Sequence, residues 1–140
     1  MNEITEQIAR AAEDAVAFCR SQGGLDYSEA SLAVVEEVLA EAAYFVTDLD
    51  SDRAVGFIQD FGCYILEVGR REFGGRYLWH PDRDQPVLVV GEPTFRVALL
   101  AWDKVRGRLG GNKGDNIPFF YAGFADRARQ ATPGTDALYV

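Results

Sequence analysis

The sequence predicts an α+β fold, in which helices pack on one side of a small antiparallel sheet of three or four strands. Three observations carry this. Apolar residues recur every three to four positions through most of the first 73 residues. From Arg76 the pattern breaks into short apolar runs separated by Pro, Gly and Asp turns. Helical spacing then returns after Asp115. A chain of 140 residues with 48% hydrophobic content makes one domain, residues 1–140, with a sizeable core.

Residues 3–19 read as the first helix, with Ile4, Ile8, Ala11, Ala15 and Phe18 on one face. Gly23-Gly24 breaks it. Asp26 or Ser28 caps a second helix, and Glu29 completes a capping-box pattern if Asp26 is the cap. Its apolar face is Leu32, Val35, Leu39, Ala42 and Val46, and its outer face carries Glu29, Glu36, Glu37 and Glu41.

The chain is organised around the stretch from Ala54 to Trp79. Ile58, Phe61, Ile65 and Val68 make a helical stripe that Phe57 and Tyr64 widen. A stripe this wide predicts a central helix covered on more than one side. Asp50 or Ser51 caps it. Gly56, Gly62 and Gly69 each cost about 1 kcal/mol against alanine and mark places where neighbours pack closely. Arg70 and Arg71 suit the negative end of the dipole, and Gly74-Gly75 ends the helix.

Arg76 to His80 suits a strand, Pro81 to Asp84 a turn, and Val87 to Val90 a strand buried on both faces. After the Gly91–Thr94 turn, a third strand runs from Phe95 into Leu100. A short helix follows from Trp102 or Asp103 to Leu109. Gly110 to Gly114 is a loop. Asp115 or Asn116 caps the last helix, with Pro118 in its first turn and Ile117, Phe120, Phe124 and Ala128 on its buried face. Ala137 to Val140 either adds an edge strand or stays frayed.

The net charge of −8 is uneven. Residues 1–69 carry 14 acidic and 3 basic residues, whereas residues 70–140 carry 8 and 11. The acidic half argues against nucleic acid, whose binding requires phosphate neutralisation. It suits attraction to a basic protein. No apolar run approaches a membrane span, and MNEITEQIAR lacks a signal-peptide pattern. A cytoplasmic protein is the expectation. Cys19 and Cys63 fall among apolar neighbours and read as buried thiols.

Few motifs carry chemistry. Asp48, Asp50 and Asp52 alternate like the start of a calcium loop, but the glycine and glutamate positions hold Arg53 and Gln59; helix capping accounts for them better. His80, the only histidine, stands near Asp82 and Asp84. This is a candidate small-ligand or catalytic site, with Trp79 beside it, although a polar histidine at a strand end is the ordinary reading. The 110–114 loop lacks the Gly-Lys-Ser/Thr of a phosphate loop. Trp79, Trp102, Tyr77, Tyr121 and Phe119 either form an exposed aromatic patch or fill the core.

The segments LDYSEASLAVVEEVL and FGCYILEVGRREFGGRYLW, with the run from Trp102 to Phe124, resemble a set of small uncharacterised bacterial proteins. The resemblance covers residues 25–124, and such proteins are described as domains of unknown function. They are loosely similar in size, acidity and α+β build to immunity proteins, which neutralise a toxin by binding it. The resemblance implies binding and supplies no catalytic residue.

The expected function is therefore a non-enzymatic protein-binding module of the immunity or adaptor type. Glu36, Glu37, Glu41, Asp48, Asp50 and Asp52 would meet a basic partner, with no cofactor, metal, nucleic acid or membrane. The chain itself is expected to be a monomer or small homo-oligomer. The alternative is a small-ligand-binding protein or enzyme centred on His80, Asp82 and Asp84.

Overall fold

The fold was obtained as a computed structural model that describes residues 2–140. Its centre is α3 (Asp52–Phe73). Ser51 caps this helix, its Oγ accepting from the Ala54 N–H at 3.2 Å. Every residue from Phe61 to Gly69 is buried, so the expected wide stripe has become burial around the whole circumference. The helix ends where expected, with Gly74 and Gly75 at φ of 75° and 102°, a region that costs glycine little.

Two of the three α3 glycines mark close packing. A side chain at Gly62 would collide with the Trp102 indole, and one at Gly69 would press on Leu88 and Phe124. Gly56 has open space beside it, and only its helix cost remains.

α1 (Glu3–Phe18) lies along α3. Asn2 caps it by accepting from the Thr5 N–H at 2.9 Å. Ile8, Ala12 and Ala15 are buried, but Phe18, expected to be buried, is 52% exposed. Its ring meets Phe57 and Phe61 edge-on. The second helix divides in two. A 3-10 turn (Glu29–Ser31), capped by Ser28, precedes α2 (Leu32–Ala42). α2 stops short of the Val46 that its stripe predicts. Tyr44 and Phe45 take i→i+3 bonds to Glu41 and Ala42, the tightened geometry of a helix end.

Tyr27, just upstream, has φ of 66°, unusual for a bulky residue. Three contacts hold it there. Its N–H donates to Tyr64 Oη at 2.8 Å, its hydroxyl donates to Glu13 at 2.6 Å, and the Arg71 guanidinium lies 3.5 Å from its ring centre.

The strands are β1 (Arg76–His80), β2 (Gln85–Val90), β3 (Arg96–Leu99) and β4 (Asp136–Tyr139). They lie in the order β1-β2-β3-β4. The first three pair antiparallel, Tyr77 facing Leu88 and Leu88 facing Leu99. The expected purely antiparallel sheet is corrected at β4, which runs parallel to β3 with Arg96 opposite Asp136. α4 (Trp102–Leu109) and α5 (Ile117–Gln130) intervene. Such a crossover returns the chain to the end where β3 began, which makes the pairing parallel.

β2 is buried throughout, as expected. Leu88, Val90, Val97 and Leu99 join the helices in the main core. On the opposite face Val87, Val89, Ala98 and Leu100 form a small cluster that no helical residue joins.

Candidate functional site

Two turns of α2 present acidic residues, but they are not equivalent. Glu37 and Glu41 are exposed. Glu36, one position away, turns inward. It accepts from Arg108 Nε at 2.6 Å and from the Ile117 N–H at 3.0 Å. Its carboxylate thus sits at the N-terminus of α5, where the dipole favours negative charge. The expectation that Glu36 is a free partner-binding group is corrected: it is a strut joining α2, α4 and α5.

Asp48, Asp50 and Asp52 occupy the α2–α3 connection and the first turn of α3, and all three are exposed. Asp48 shapes the turn, accepting from the Asp50 N–H at 2.9 Å. Asp50 pairs with Arg106 at 2.9 Å, with its side chain largely in water, so the pair contributes little. Asp52 stands in the first helical turn. Among the described residues, the carboxylates of this region outside any ion pair are therefore Glu37, Glu41, Asp48 and Asp52.

The same region exposes aromatic residues that the sequence reading missed. Tyr44 is 84% and Phe45 71% exposed. A cavity of about 180 Å³ opens here. Phe18, Val38, Ala42, Phe45, Val46 and Phe57 line it, with Glu41 and Arg53 as its charged members. Tyr44 and Phe45 follow the end of α2 at Ala42, so the stripe of Leu32, Val35, Leu39 and Ala42 no longer says where they point.

The His80 region differs from expectation. Along β1 side chains alternate between faces. Tyr77 reaches the α3 carboxylate Glu67, and Trp79 meets Trp102; His80 therefore points to the opposite face from Trp79. Asp82 and Asp84 are exposed turn residues, Asp84 with φ of 53°. His80 Nδ1 accepts from the Arg83 N–H at 3.3 Å. Among the described residues no group of three or more His, Cys, Asp or Glu side chains is placed to hold a metal ion.

Cys19 and Cys63 are both buried and free. Burial pushes both thiols up, Cys63 to about 12, with the Trp102 indole N–H beside its sulfur pulling the other way. They stay protonated near neutrality, which makes them poor nucleophiles. Of the five aromatics weighed as a patch, Tyr77 and Tyr121 are core residues, the two tryptophans pair, and Phe119 stands exposed on α5.

A buried ionic centre lies inside the fold. Glu67 is 2% exposed. Burial alone would raise its pKa, yet hydrogen bonds from Arg70 at 2.7 Å and Tyr77 Oη at 2.7 Å hold it below the ordinary value. All donors here come from the chain itself, as in a structural ion cluster.

No helix among the described residues is long and apolar enough to cross a membrane. No family model matches the chain, nor does any curated protein or solved structure.

Proposed function

We propose that the protein is a non-enzymatic binding module that captures a basic protein partner through the α2–α3 end, in the manner of an immunity or adaptor protein. The observation that carries this reading is the conjunction at that end. An apolar cavity rimmed by the exposed Phe18 and Phe45 lies against Glu41, one turn from Glu37. Asp48 and Asp52 lie in the segment joining Val46 to Arg53, which both line the cavity.

The division of labour follows from physics. Exposed carboxylates speed encounter with a basic surface and select against acidic ones. Most of the affinity comes from a few apolar groups that lose their water. A cavity of this size takes one apolar side chain of the partner, with Phe45 and Phe18 packing around it. In the fold Arg108 and Arg106 neutralise Glu36 and Asp50 and Arg53 lines the cavity, which leaves Glu37, Glu41, Asp48 and Asp52 as the carboxylates offered to the partner.

The test is capture from a lysate of the native host by immobilised protein, with elution by salt. Wild type is compared with Phe45→Ser and with the double variant Glu37→Lys/Glu41→Lys. The expected result is one basic protein held by wild type, released by salt and lost in both variants. An empty eluate, or capture that both variants retain, overturns the reading.

A further inference from the structure

We infer that the slot between α1, α3, β1 and α4 binds a small uncharged aromatic molecule that carries a hydrogen-bond acceptor. The slot has a volume of about 230 Å³, below the range of drug-sized pockets and suited to one ring with a short substituent. It is distinct from the Phe45 cavity and shares no lining residue with it.

Three features define the ligand. The first is shape. Trp79 and Trp102 line the slot with their ring centres 6.1 Å apart and their planes at 85°. Ile4, Ile8 and Pro86 complete an apolar wall. The two indoles pack edge to face on each other, and their remaining ring surfaces form an aromatic side of the slot against which a ligand ring can pack.

The second is charge. Among the described residues no Asp, Glu, Lys, Arg or His lines the slot, and its polar members are Gln7, Gln59 and the Cys63 thiol. Burial keeps that thiol protonated. An ionised ligand would lose its hydration here without gaining a counter-charge.

The third is a poorly met hydrogen-bond donor. The Trp102 indole Nε1 is buried and, among the described residues, has no acceptor at hydrogen-bond distance; the Cys63 sulfur beside it is a weak acceptor. Leaving a buried donor unpaired is costly, and native structures rarely do so without reason. A ligand carbonyl or ring nitrogen supplies the missing acceptor. The ring is fixed in advance. The Trp102 backbone N–H donates to Gln85 Oε1 at 3.1 Å, and the indole lies where a side chain at Gly62 would otherwise be.

The test exploits the fact that these two tryptophans are the only ones in the chain. The ¹⁵N-labelled protein therefore gives two indole N–H signals, which Trp79→Phe assigns. Three probes are titrated: acetophenone, ethylbenzene, which matches its ring and lacks the acceptor, and benzoate, which is charged. Acetophenone is expected to bind saturably and move the Trp102 indole proton downfield. Ethylbenzene is expected to bind about tenfold more weakly, the worth of one net hydrogen bond, without that downfield shift. Benzoate should not bind.

Ala11→Leu, which extends a lining side chain into the slot, should weaken acetophenone at least about tenfold on the same scale. The inference is overturned if acetophenone gives no saturable shift, or if ethylbenzene binds equally well. It also falls if the Trp102 signal is unmoved because water already satisfies the indole. The three probes are compared on the unmodified chain, so these outcomes do not depend on how any variant folds.

Discussion

Glu36 and Arg108 meet at 2.6 Å across 72 positions of sequence, with both side chains largely shielded from water. The other carboxylate oxygen of Glu36 takes the first N–H of α5. One side chain thus fixes α2 against both helices of the crossover. Replacing Glu36 by alanine strands a buried guanidinium and a backbone donor together. The expected loss is about 3 kcal/mol, in the range for breaking a buried pair. Glu36→Gln keeps an acceptor for Ile117 and should lose about half as much. Glu37→Lys, on the exposed side of the same turn, should change stability by less than about 0.5 kcal/mol. Urea denaturation of the three variants checks this.

Asp60 gives a pH dependence. Burial, and then the nearby Asp14, raises its pKa from 3.8 to about 6. Between those values the folded chain holds a proton that the unfolded chain has released, so stability falls as pH rises from about 4 to about 6. Asp60→Asn removes that penalty. It should stabilise the protein by about 1 kcal/mol at pH 7, allowing for partial exposure of the group. At pH 3.5 it should change little. Melting curves at the two pH values decide. An equal effect at both would mean that Asn acts through packing instead of charge.

The Glu67 cluster has the opposite sign. Its depressed pKa contributes stability above the ordinary carboxylate value, and that contribution is lost as pH falls through the folded value. Tyr77→Phe removes one of its donors while keeping the ring. We expect a loss of about 2 kcal/mol at pH 7, becoming smaller as pH falls through the lowered folded-state value and Glu67 takes up a proton. A loss that does not vary with pH would assign the hydroxyl a packing role alone.

Phe45 separates binding from folding. Because most of its ring is in water, Phe45→Ser should change stability by less than about 0.5 kcal/mol. Partner capture should be lost. A large fall in melting temperature instead would show that Phe45 supports the α2 end, and the capture experiment would then rest on the Glu37→Lys/Glu41→Lys variant.

The residues by themselves determined the helices, three of the strands and the central place of α3. Those features are local. Apolar period, Ser51 as a cap, Gly74-Gly75 as a stop and the turns at Pro81 and Gly91 all act within a few residues of chain. Even the burial of β2 on both faces was written in its unbroken apolar run.

Tertiary structure decided what depends on partners distant in sequence. The direction of β4 followed from two intervening helices and could not be read from Ala137 to Val140 alone. The inward turn of Glu36 was hidden, because an acidic residue beside Glu37 looks solvated until Arg108 and the start of α5 are placed against it. Phe18 fits the buried stripe of α1, yet Cys19 beside it takes the buried place and the Phe18 ring lies at a cavity mouth against Phe57 and Phe61. The Trp79–Trp102 slot needed β1, α3 and α4 assembled around Gly62. Sequence spacing fixes which face a side chain takes on its own element. Only the packed chain fixes what stands opposite that face.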